Sequence, residues 1–183
     1  VRQAAQGSSL IEVLVALLIS AVGVLAMTGL AGVAVRYMRS GEFRIEATLL
    51  ASDLADRIRA NRQGLTSYAY TPKNLSAQAP NAAPACATEL SCTPQELAAI
   101  DLATWRASLF NHLPQGTGYV QIAPAPQQRV GLWVLWRDPA SLSGGAGAAW
   151  GHYLNPGAEA QSCPPGFNTQ DPLPRCLFFQ VSL

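Results

Sequence analysis

Between Glu12 and Arg36 the chain carries no charged residue, and in that stretch only Ser20 and Thr28 are clearly polar. A run of about 23 apolar residues is long enough to cross the hydrocarbon core of a bilayer as a helix. Arg2 precedes the run, and a basic residue there favours an N-terminus on the cytoplasmic side. A secretory signal has its small-residue cleavage site after the apolar stretch, which is then lost. Here Arg36, Tyr37, Met38 and Arg39 lead straight on into a helical pattern. The apolar stretch is therefore expected to be retained.

Of the 183 residues, 49% are hydrophobic and 13% charged, and the formal net charge is +1. Such a balance makes no electrostatic claim on nucleic acid or an anionic surface. Much of the apolar content lies in the N-terminal run, and the rest has ordinary globular composition, enough for one domain with a core. The four cysteines, Cys86, Cys92, Cys163 and Cys176, form an even set without a Cys-x-x-Cys spacing or a nearby histidine. That pattern argues against zinc and for disulfides in an oxidising compartment. Three pairings among them are open.

The helical pattern outlasts the apolar run. Phe43, Ala47, Leu50, Leu54 and Ile58 recur at steps of four and three, one face of a helix. Charged residues mostly avoid that stripe, and Asp53 and Arg57 form a favourable i,i+4 pair. Gly64 reads as the C-terminal stop. A helix from Ser9 to Gln63 would be on the order of 80 Å long, far more than a bilayer requires. Its second half needs an attached domain to cover the stripe. Gly23, Gly29, Gly32 and Gly41 each weaken the helix by roughly 1 kcal/mol relative to alanine, and each is small enough to admit a neighbouring helix.

Asn74 to Ala87 is rich in proline, alanine and small polar residues and reads as a surface connection. Thr93-Pro94-Gln95-Glu96 then combines a threonine cap, proline at the first helical position and glutamate at the third. The helix it opens is expected to run to about Leu113, with a break near Asp101 conceivable, and Pro114 stops it. Gly118–Ala123, Arg129–Arg137 and Cys176–Leu183 have the β-branched and aromatic content of strands. Ser141–Ala149 is a glycine-alanine loop.

Gly7-Ser8-Ser9-Leu10-Ile11-Glu12-Val13, placed immediately before the apolar run, resembles the cleavage motif of type IV prepilins. The resemblance implies an α+β fold, in which a long N-terminal helix, membrane half plus amphipathic half, packs on a small antiparallel sheet. It implies cleavage between Gly7 and Ser8 by prepilin peptidase, with N-methylation of Ser8. The chain then divides into a leader at residues 1–7, a transmembrane and filament-core helix at 8–35, and a periplasmic part at 36–183. The first mature residue of the family is usually phenylalanine and is serine here.

Glu12 falls at the fifth mature position, where the family keeps a glutamate. The residue has a local reading too, because Ser9 and Glu12 have the spacing of a capping box. A cap alone does not explain an ionisable group at the membrane end of an apolar helix, where such groups are costly and usually functional. The resemblance implies that Glu12 pairs with the freed N-terminal amine of a neighbouring subunit during assembly.

Asn61-Arg62 at the end of the long helix, Asp101–Trp105, Leu113–Gly118, and the tryptophans Trp133 and Trp136 are similar to features of the PilV-like minor pilins, pilus modification proteins. The partners this implies are other major and minor pilins, prepilin peptidase, the inner-membrane assembly platform and the membrane itself. The location is the inner membrane before assembly and the pilus afterwards. No cofactor and no metal are expected. Local disulfides, Cys86–Cys92 and Cys163–Cys176, are the expected pairing, the second resembling the C-terminal loop of many pilins.

Enzymatic chemistry has little to build on, since the histidines, His112 and His152, have no nucleophile elbow, phosphate loop or paired metal ligand beside them. Two other readings remain. A pseudopilin of a type II secretion system shares the whole N-terminal logic, and the downstream motifs favour the pilus. A single-span anchored periplasmic binding domain would keep its N-terminus uncut.

Overall fold

The computed structural model describes residues 9–86, 91–124, 129–138, 163–170 and 173–183. Helix α1 runs Leu10–Ala60 and α2 runs Pro94–His112; strands β1, β2 and β3 are Thr117–Ile122, Arg129–Trp136 and Arg175–Ser182. The chain divides into two compact units between Arg39 and Ser40.

The first unit is the apolar part of α1. Leu17, Leu18 and Ile19 point in three successive directions around the helix and are 62%, 66% and 64% exposed. Among the described residues this segment thus has no buried side of its own, as expected of a helix that is apolar all round. Its two polar side chains are satisfied within the helix: the Ser20 hydroxyl donates to the Ala16 carbonyl at 2.7 Å and that of Thr28 to Leu25 at 2.8 Å. A bilayer offers no other partner for such groups. The helix is long and apolar enough to cross a membrane.

In the second unit the remainder of α1 buries Ala47, Ala51, Leu54, Ala55 and Ile58 completely, with Phe43 and Leu50 packed at the margin. The expected stripe is therefore the buried face, widened by two alanines. Gly64 is not the helix stop. Helix α1 ends at Ala60, and Gly64 lies inside a 3-10 helix, Arg62–Tyr68. The Asn61 side chain caps that turn by accepting the Gly64 N–H at 3.3 Å. Glycine is needed there because a Cβ would strike the Pro94 carbonyl and the Asn61 amide.

Helix α2 opens with the expected reciprocal cap. Glu96 N–H donates to the Thr93 hydroxyl at 3.2 Å and Thr93 N–H to the Glu96 carboxylate at 2.8 Å. It runs without a break through Asp101, whose carboxylate is held by partners described below. Beyond its C-terminus Gln115 takes a positive φ of 52°, and the Gly116 N–H returns to the Leu113 carbonyl at 2.9 Å.

The three strands form an antiparallel sheet in the order β1-β2-β3. Val120 faces Leu132, and Leu132 faces Phe179. This face packs on the helices, with Val130, Val134 and Val181 also buried in the same core. Alternate residues lie on the other face, where Leu135, Leu75, Cys163 and Phe167 form a second, smaller cluster. Across that face Tyr119, Trp133 and Phe178 make a row, their ring centroids 5.3 and 4.7 Å apart. Tyr70 extends the sheet beyond β1 through paired backbone hydrogen bonds with Val120 at 3.0 and 2.8 Å.

Candidate functional site: the start of α1 and the motif cluster

At the start of α1, Ser9 occupies the cap position. Its carbonyl accepts the N–H groups of Glu12 at 2.9 Å and Val13 at 3.3 Å. Glu12 is thereby the third helical residue, with its side chain exposed in the single subunit. A carboxylate there is favoured by the unsatisfied N–H groups and positive end of the helix. Gly7, Ser8 and the rest of the expected leader lie outside the described residues, as do His152 and the loop 141–149.

The downstream motifs come together in the second unit. The Asn61 amide donates to the Pro94 carbonyl at 2.7 Å and to the Tyr68 hydroxyl at 3.3 Å, which joins the end of α1 to the start of α2. The Tyr68 hydroxyl in turn donates to the Asp101 carboxylate at 2.6 Å. Arg57 reaches the other Asp101 oxygen at 3.0 Å while its Nε holds Asp53 at 3.0 Å. Burial pushes the Tyr68 phenol well above the ordinary tyrosine range, and the hydrogen bond to Asp101 adds to the shift. Burial alone would lower Arg57, but its bonds to Asp53 and Asp101 outweigh that and raise it.

Four residues along α2, Trp105 fills the space between the helices. Its indole N–H donates to the Leu50 carbonyl at 2.8 Å. The far edge of the ring lies against Gly118, where a Cβ would overlap it. Gly116 is likewise pressed on the Leu109 carbonyl. The spacing of Asp101, Trp105, Gly116 and Gly118 thus follows from how α2 seats between α1 and β1.

His112, at the C-terminus of α2, pairs with Glu46 at 2.9 Å. Both expected disulfides are present, Cys86–Cys92 and Cys163–Cys176, each with its Cα atoms 5.1 Å apart. No group of three potential metal-ligating residues occurs among the described residues.

Residues 2–28 match the model of the prokaryotic N-terminal methylation motif, and residues 30–103 match the Tt1218-like family, type IV pilin Tt1218. Over these residues the chain is similar to type IV pilins. The two matches meet inside α1 and take in both its halves, the Asn61 turn and the first part of α2; the sheet lies beyond them. No curated protein and no solved structure matches the chain significantly. The long helix on a three-stranded antiparallel sheet is the pilin-like α+β fold that the sequence led us to expect.

Sequence reasoning missed Tyr68, which sits beyond the expected end of the helix. It also assigned Arg57 only to Asp53. One signal was present: a guanidinium has five donors, and a single i,i+4 carboxylate leaves several of them for another partner.

Proposed function

We propose that this chain is a type IV pilin, a PilV-like minor subunit of the pilus, cut between Gly7 and Ser8 and carried into the filament through α1. The N-terminal methylation motif match at residues 2–28 supports the prepilin part of this reading, and the resemblance of the downstream motifs supports the minor-pilin part. The match covers Gly7, Ser8 and Glu12 together with most of the apolar run. The proposal includes a leader at 1–7, a membrane and filament-core helix at 8–35, and a periplasmic part at 36–183.

The apolar part of α1 supports the same reading. Its apolar residues must leave water somewhere, and among the described residues none of them is buried. A Cβ built on Gly23, Gly29 or Gly32 meets only open space. Nothing inside the subunit requires glycine at these positions, whereas close approach of another helix does. Glu12, at the mouth of this segment, would lose water on entering a helix bundle and then need a cation. The freed amine of Ser8 on a neighbouring subunit supplies one.

Two measurements test this. Mass spectrometry of the protein from membranes should find a mature N-terminus at Ser8. An intact leader would favour the anchored-domain reading instead. Deleting the gene should reduce piliation or twitching, whereas a loss confined to protein secretion would mean a pseudopilin.

A further inference from the structure

A cleft of about 320 Å³ opens between α2 and the chain that follows α1, lined by Arg106, Leu102, Tyr70, Ser67, Asn81 and Pro84 among others. The Arg106 guanidinium lies over the Tyr70 ring, 4.5 Å from its centroid. Tyr70 is itself fixed by its backbone pairing with Val120, so the cation stands on a rigid support. Arg106 makes no ion pair among the described residues.

Contact with a ring attracts the charge of a guanidinium but leaves its planar N–H fork available. That fork matches a carboxylate in two-point geometry. The lining holds a single cation, which suits a monoanion better than a dianionic phosphate. Ser67 and Asn81 add polar groups, while Leu102 and Pro84 provide apolar wall for a short aliphatic stem. The volume is at the small end for ligand pockets, about right for one side chain and not for an extended cofactor.

We infer that this cleft is a carboxylate-binding site anchored by Arg106, sized for the acidic side chain of a polypeptide or a small free carboxylic acid. The site is independent of the role of α1 and of the pilus reading.

The test uses the full chain in detergent micelles, following the Arg106 Nε–H and Tyr70 ring resonances by NMR. Probes are the blocked tripeptide N-acetyl-Ala-Glu-Ala-amide, its glutamine counterpart and sodium propionate. The glutamate peptide should give saturable shifts with a millimolar dissociation constant, and the glutamine peptide none. Propionate binding as tightly as the peptide assigns the site to free acids, and tighter peptide binding assigns it to acidic side chains. Arg106→Lys, which keeps the charge and loses the fork, should bind several-fold more weakly, and Arg62→Gln should bind as the unaltered protein does. Equal shifts from both peptides, no saturable shift, or unchanged affinity in Arg106→Lys would overturn the assignment and leave Arg106 as a surface cation stacked on a ring.

Discussion

The Tyr68 hydroxyl and the Asp101 carboxylate meet at 2.6 Å across 33 residues of sequence, Tyr68 fully buried and Asp101 nearly so. Their contact joins the 3-10 turn after α1 to the second turn of α2, and Arg57 closes the group from α1. A buried carboxylate between a phenol and a guanidinium is sustained by its partners, so removing any one leaves another short of a bond.

Asp101→Ala should therefore destabilise the second unit by roughly 2 kcal/mol. The figure lies between the small value of an exposed pair and the 3–5 kcal/mol of a buried one, because Arg57 is partly exposed. Tyr68→Phe should cost about 1.5–3 kcal/mol, the range for a hydrogen bond to a charged group. Chemical denaturation of the three proteins measures both. A neutral Asp101→Ala would mean that the polar group is incidental to folding.

The same phenol sets a response to alkali. In the unfolded chain Tyr68 ionises near pH 10, whereas in the fold its pKa is raised, by burial and by Asp101. Its contribution is thus fully present below about pH 10 and declines as pH rises above that. The denaturation midpoint should fall between about pH 9 and pH 11.5 more steeply in the unaltered protein than in Tyr68→Phe. Parallel curves would refute the assignment.

Gly118→Ala should destabilise by about 1–3 kcal/mol, because the added methyl overlaps the buried Trp105 ring. In a Trp105→Leu background the same substitution should cost much less. The double-mutant cycle is the measurement, and strict additivity would show that the two residues do not press on each other.

Peptide mapping without reduction should recover Cys86–Cys92 and Cys163–Cys176. Replacing the second pair by serine should cost roughly 3 kcal/mol, and the first, with its shorter loop, nearer 2 kcal/mol in the chain-entropy model. A crossed linkage would contradict the pairing.

Glu12→Ala should leave cleavage, membrane insertion and both disulfides intact while lowering the amount of this subunit in sheared pili, with total cellular protein as the control. Undiminished incorporation would reduce Glu12 to a helix-cap residue.

How much of this was legible beforehand depended on the range of each interaction. The stripe from Phe43 to Ile58, the Thr93–Glu96 cap and the three strands are written in local periodicity and short-range chemistry, and the structure keeps them within a residue or two. Gly64 was misread because α1 passes directly into a 3-10 helix capped by the Asn61 side chain, with no left-handed glycine at the join. Asp101 looked like a possible helix break because its compensation comes from Tyr68 and Arg57, 33 and 44 positions away. Trp105 and Gly118 stood out as motif residues, yet nothing local reveals that one is the socket of the other.

The indole N–H of Trp105 on the Leu50 carbonyl spans 55 positions of sequence. Because the ring is also hemmed in by Gly118, α2 cannot slide along α1 by a helical turn without losing that bond and colliding with β1. A pull on α1 would therefore reach α2 and the sheet as shear across a pinned joint and would be resisted by several bonds breaking together. The second unit would yield abruptly at a threshold load instead of creeping.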